Sequence, residues 1–324
     1  MQEARVMRRI TVSGLLLAPI AAAMLLSCRP APRGEQKIVI GLAVPSLTHP
    51  FFIHLKNRVM EEAGRLGVQV ITADAEDTAA KQMAIVEDFI ARGVDGVLIS
   101  PIGADALVPA IEALHEARIP VATVDRMVRG GDVLVHVGAD NVRGGELAAQ
   151  YIIQRLGGKG SVIELEGTPG ASPAIDRKRG FDAAIRKAGI ALLASQAADF
   201  QRAKGQTVME NLLQVHREFP AVYAANDEMI LGAIEAMEAH HIDPAAVVTV
   251  GYDAIPDALE YIRAGRLDAT VEQYPGRQAS TALRILVEYL REGKSPPRKE
   301  ISIEPVVIEA RNLQEAEFKG PRDP

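Results

Sequence analysis

One cysteine, Cys28, and no tryptophan occur in 324 residues. A lone thiol excludes an intrachain disulfide and any zinc site built on cysteine pairs. A basic excess is missing too: 36 Lys and Arg stand against 42 Asp and Glu, a net charge of −6. Binding nucleic acid needs a basic face to neutralise phosphate, so that class is set aside. Catalytic motifs also fail. Gly293-Lys294-Ser295 ends like a phosphate-binding loop, but the glycine required at position 288 is Glu288. Ser172 lacks the second glycine of a nucleophile elbow and is followed by Pro173. The neighbours His240 and His241 fit no His-Glu-x-x-His pattern. No catalytic residue, cofactor or metal is therefore assigned, and an enzyme is not expected.

What is present starts with Arg5, Arg8 and Arg9 ahead of an uncharged run from Ile10 to Ser27. A basic segment followed by an apolar one is an export signal, assigned to residues 1–28, with Met1 or Met7 as its start. The run stops at Leu25-Leu26-Ser27-Cys28, which resembles the bacterial lipobox, whose cysteine carries a lipid on the mature protein. Cys28 is accordingly the expected lipidation site, and residues 29–35, rich in Pro, Arg and Gly, read as a flexible tether. The implied location is the periplasm or the outer face of a bacterial membrane, with a lipid anchor.

From Ile38 onward, short apolar strands alternate with amphipathic helices. Strands are expected at 68–73, 96–100, 120–124, 133–138, 161–165, 221–225, 247–251, 267–271 and 301–308. Helices are expected at 79–92, 105–117, 144–156, 175–188, 201–217, 228–240, 257–264 and 275–292. Such alternation predicts α/β architecture, a parallel sheet covered on both faces. The strands are too many for one small unit. An echo between Asp95–Asp125 and Ala221–Asp253, each closing on an Asp beyond a strand, predicts two similar doubly wound lobes.

Ligands of open parallel sheets bind at the carboxyl ends of strands. The first such end carries Thr48-His49-Pro50-Phe51-Phe52, spending two of only seven Phe on one corner. An aromatic pair there suits the apolar C–H face of a sugar ring. His49, Asp125, Arg126, Asn141, Arg177, Asn226, Asp253 and Gln273 recur near the ends of strands. Sugar hydroxyls donate and accept, and these planar side chains supply both functions. Two Asp and two Arg sum to zero, which fits a neutral polyhydroxy ligand.

Together with Thr123-Val124-Asp125-Arg126, Asp140-Asn141, Ala225-Asn226-Asp227-Glu228-Met229, Val250-Gly251-Tyr252-Asp253 and Ala269-Thr270-Val271-Glu272-Gln273, the chain resembles periplasmic sugar-binding proteins of the ribose-binding type over residues 38–310. The resemblance implies that Phe51, Phe52 and Phe200 sandwich a pyranose ring. It implies that Asp125, Arg126, Asn141, Arg177, Asn226, Asp253 and Gln273 bind the hydroxyls. At His49 the family pattern has Asn; histidine is bulkier and ordinarily titrates near pH 6.5, so this departure bears on which sugar fits. The implied lobes are 36–139 plus 274–302 and 140–273 plus 303–310, joined by a three-segment hinge, with 311–324 as a loose tail. The implied partners are a small neutral sugar such as ribose and an ABC transporter permease that receives it from a monomeric binding protein. A sensor for a sugar-like signal or polyol, working through a chemoreceptor, is the alternative, and an exported enzyme on the same fold a weaker one. A LacI-type repressor shares this core, but an apolar signal occupies the place of its DNA-binding segment.

Overall fold

The structure, a computed structural model, describes residues 37–318. The export signal, the tether and Cys28 lie outside the described residues. In chain order the first part runs β1 (Val39–Val44), α1 (Pro50–Leu66), β2 (Gln69–Asp74), α2 (Ala79–Arg92), β3 (Gly96–Ile99), α3 (Val108–Glu116), β4 (Val121–Val124) and β5 (Val135–Ala139). It continues with α4 (Asn141–Arg155), β6 (Ser161–Glu166), α5 (Ser172–Ala188), β7 (Ala191–Ala197), α6 (Arg202–Val215), β8 (Ala221–Ala224), α7 (Asp227–Ala239) and β9 (Val248–Val250). The last elements are α8 (Pro256–Arg263), β10 (Ala269–Glu272), α9 (Pro275–Glu292), β11 (Glu300–Ile303) and β12 (Val306–Glu309).

The strands form two six-stranded sheets, ordered β11-β5-β4-β3-β1-β2 and β12-β10-β9-β8-β6-β7. The first is parallel throughout. In the second only the pairing of β12 with β10 is antiparallel. Each sheet is doubly wound and has its own apolar core, around Leu42, Leu98, Val137 and Leu283 in one and Val162, Leu165, Val222 and Ile230 in the other. The chain passes between the lobes three times: after β5, after β10 and between β11 and β12.

That last passage differs from the single strand expected over 301–308. Pro305 has no N–H to give to a ladder, and the chain leaves the first sheet at Ile303 and joins the second at Val306. The sequence pattern also missed β7. It is an edge strand, largely exposed, so it lacks the continuous apolar run that marks a buried parallel strand.

The tail does not pack loosely over 313–318. Ala316 and Phe318 are buried with Ala254, Leu259 and Ile308 of the second lobe. The Phe318 ring lies 4.2 Å from that of His54 on α1. Between them, the Glu317 carboxylate accepts from the Gly276 and Arg277 N–H groups at 2.6 and 3.0 Å, where α9 begins. A carboxylate suits the unpaired donors and positive dipole end of a helix N-terminus. The segment straps one lobe to the other beside the hinge.

Candidate ligand-binding site

The carboxyl ends of the two sheets face one another, and six of the loops leaving strands there bring side chains to one site. After β1, Pro50 starts α1 and His49 caps it, Nδ1 accepting from Phe51 N–H at 3.2 Å. The next two residues project as rings, Phe51 and Phe52, whose centroids are 5.1 Å apart at 89°. After β4 come Asp125 and Arg126, after β7 Phe200, after β8 Asn226, after β9 Asp253 and after β10 Gln273. Arg177 reaches in from α5. These ten side chains, with Pro173, line one cavity.

The cavity is charged and internally braced, and its charged side chains are buried. Asp125, Arg126, Arg177 and Asp253 are each no more than 5% exposed. Asp125 accepts from Ser100 Oγ at 3.1 Å and has Arg126 Nε at 3.8 Å. Asp253 accepts from Gln273 Nε2 at 2.6 Å and has Arg177 Nη1 at 3.7 Å. Arg177 also donates to Ala225 O at 2.6 Å, and its guanidinium lies 3.6 Å over the Tyr252 ring. Arg126 sits between Phe52 and Phe200, 5.4 and 5.5 Å from their centroids, so it spans the two aromatic walls. Gln273 Oε1 is buried without a hydrogen-bond partner and is an acceptor aimed at nothing in the protein.

Burial pushes the Asp253 carboxyl up to about 7, Arg177 opposing this and Asp125 adding to it. Burial also raises Asp125, against the pull of Arg126 and Arg177. His49 goes the other way. Burial first, then the fields of Arg126 and Arg177, lower it to about 3, so its ring is neutral at neutral pH and does not titrate near 6.5.

Direct contacts close the cleft from both sides. His49 Nε2 lies 3.0 Å from Asn226 Nδ2, Met127 N–H donates to Ser172 Oγ at 2.9 Å, and Ala104 N–H donates to Gly170 O at 2.9 Å.

Asn141 is the one expected site residue that does not line the cavity. It stands behind Arg177, its Oδ1 accepting from Nε at 2.8 Å. Sequence reasoning missed Pro173, the Tyr252 platform and Gly167. A Cβ on Gly167 would fall 2.1 Å from Phe200 Cζ, so the bare glycine makes room for that ring. Three cavity residues hold a positive φ: Asp125 at 63°, Phe200 at 61° and Asp253 at 112°. Such backbone costs about 1–3 kcal/mol per residue and concentrates at ligand clamps.

The model of the periplasmic binding protein domain family matches residues 40–295. The chain is 37% identical to the ribose import binding protein of Salmonella typhimurium over 291 residues, 90% of this chain and 98% of that one. It is 44% identical to the ribose import binding protein of Bacillus subtilis over 248 residues, 76% of this chain and 80% of that one. Among solved structures, the Caulobacter myo-inositol binding protein bound to myo-inositol superposes with a TM-score of 0.84 at 34% identity, covering 89% of this chain and 98% of that one. Two doubly wound lobes, a three-segment hinge and these matches over most of the length make the chain a member of the periplasmic binding protein family.

Proposed function

We propose that this chain is an extracytoplasmic solute-binding protein that closes its two lobes on one small neutral sugar, ribose or a similar pentose or hexose, and delivers it to an ABC transporter permease. The observation that carries this reading is a cavity where side chains from two lobes converge: rings for the apolar faces of a sugar, and Asp, Arg, Asn and Gln for its rim. The unmatched Gln273 Oε1 supports a ligand that donates. The paired charges, two of each sign, support a ligand without charge.

His49, Phe51, Phe52, Asp125 and Arg126 act from the first lobe, and Arg177, Phe200, Asn226 and Asp253 from the second, with Gln273 at the hinge. Asn141 acts through Arg177. A ligand touching both walls favours the closed form because only that form makes all the contacts. Hinge closure on ligand is the general behaviour of periplasmic binding proteins. Hydrogen bonds to charged groups contribute about 1.5–3 kcal/mol each, so a few of them with ring stacking reach about −8 kcal/mol, or micromolar affinity. The chain is held at the membrane through a lipid on Cys28, which keeps the binding protein near its permease.

A cyclic polyol is the second reading. The similarity to a protein solved with myo-inositol favours it. Thermal shift against D-ribose, D-allose, D-galactose and myo-inositol tests both, since a ligand that binds only folded protein raises Tm. A shift with one of them supports the reading; none with any of them contradicts it.

A further inference from the structure

Glu317 and Phe318, beyond the last strand, touch both lobes without lining the ligand cavity. Glu317 N–H donates to Glu272 Oε2 at 2.7 Å, at the end of β10 in the second lobe. The other oxygen of Glu272 accepts from Gln273 and Tyr274 N–H at 2.8 and 2.6 Å, so this buried carboxylate also holds the chain where it crosses back to the first lobe. The Glu317 carboxylate, in turn, holds the start of α9, a helix of the first-lobe core. Backbone on one lobe and side chain on the other, a single residue ties the two together.

Phe318 repeats the pattern. Its ring is buried with Ala254, Leu259 and Ile308 of the second lobe and lies 4.2 Å from the His54 ring on α1. Ala254 follows Asp253, and His54 lies nearly one helical turn beyond Phe51. Asp253 and Phe51 line the cavity from different lobes, so a rotation that parts them also parts His54 from a ring seated on Ala254. The ring contact therefore belongs to the closed form.

We propose that Glu317 and Phe318 form a latch outside the ligand site that holds the lobes closed, so that opening, and with it release of ligand, requires the Phe318–His54 contact to break. The proposal rests on the reading of the cleft as the ligand site only for what is released. A contact that the closed form alone makes shifts the equilibrium toward closure whether or not a ligand is present. With ligand inside, the latch must give way before the ligand leaves, so its effect falls on dissociation. Because it touches no ligand atom, it strengthens retention without adding selectivity.

Closure leaves a signature that needs no ligand. Ala104 N–H donates to Gly170 O and Met127 N–H to Ser172 Oγ across the cleft, and opening exposes both amides to exchange with solvent. Hydrogen exchange on the unliganded full chain, read by NMR, compares the parent with Phe318→Leu and His54→Ala. F318L keeps an apolar side chain among Ala254, Leu259 and Ile308 and removes the ring; H54A removes its partner and leaves the second-lobe packing intact. Each variant is expected to exchange these amides about threefold to tenfold faster than the parent, and the double variant no faster than F318L. Equal rates in parent and variants, or additive increases, overturn the latch. With D-ribose as probe, stopped-flow release is expected to accelerate by a similar factor in both variants, and unchanged release overturns the role in retention. Should the parent bind no D-ribose while the exchange results hold, the ribose assignment fails and the latch stands.

Discussion

Arg177 Nε donates to Asn141 Oδ1 over 2.8 Å, and this bond runs behind the cavity. It fixes the plane of the guanidinium that stacks on Tyr252 and leaves Nη1 to Ala225 O and Asp253. Asn141→Ala leaves a buried charged donor unpaired, a loss of about 1–3 kcal/mol. Sugar affinity is expected to fall by about fivefold to a hundredfold. If Asn141 acts on the ligand through Arg177, adding N141A to R177A is expected to cost little further affinity. Calorimetric titration of the two single variants and the double variant checks this, and additive losses contradict it.

Gly167 shapes the opposite wall. A methyl there meets Phe200 Cζ at 2.1 Å, and a rigid ring absorbs that only by moving. Overpacking of this kind costs about 1–3 kcal/mol. Gly167→Ala is expected to displace the ring, weaken sugar binding at least about tenfold and lower Tm. Unchanged affinity would show that Phe200 does not form a wall of the ligand site.

His136 gives a pH prediction away from the cleft. It is buried in β5 with Thr123 Oγ1 at 2.9 Å from Nδ1, and burial lowers its pKa from 6.5 to about 4. The unfolded chain therefore binds this proton at a higher pH than the folded one. The stability linked to His136 is complete above pH 6.5 and is lost as pH falls toward 4, at up to about 1.4 kcal/mol per pH unit. Urea unfolding of His136→Gln is expected to show a flatter acid limb than the parent over that window. Parallel limbs contradict the assignment.

Glu317 tests the strap. Its carboxylate holds the first N–H groups of α9 and lies 3.5 Å from His54 Nε2. Glu317→Ala is expected to lower unfolding free energy by about 1–2 kcal/mol in chemical denaturation. A change below about 0.5 kcal/mol would mean the segment rests on the hinge without stabilising it.

Much of the site was legible because parallel sheets put chemistry at strand ends, and strand ends follow apolar runs. His49, Phe51, Asp125, Asn226, Asp253 and Gln273 each follow such a run closely. Asn141 was legible as polar and well placed, but not as the support of Arg177, since which of two neighbouring polar groups faces the ligand depends on side-chain direction. The edge strand β7 and the break at Pro305 were hidden for a shared reason. Each depends on where the chain stands in a sheet, and the local pattern does not record that. The packed tail was misjudged because Ala316 and Phe318 find their apolar partners far away in sequence, at Ala254 and Leu259. The left-handed backbone at Asp125 and Phe200 leaves no compositional trace, because neither is glycine.

The central claim is that opposing lobes hold one uncharged sugar through Asp125 and its neighbours. Asn is the informative replacement at 125, because it tolerates the φ of 63° and removes only the charge and an acceptor. Calorimetric titration with D-ribose, D-allose and myo-inositol, on the parent and on Asp125→Asn, tests the claim most directly. One molecule is expected to bind per chain at micromolar affinity or better for at least one of the three, weakened about a hundredfold in D125N. No heat of binding with any of the three, or equal affinity in D125N, would contradict it.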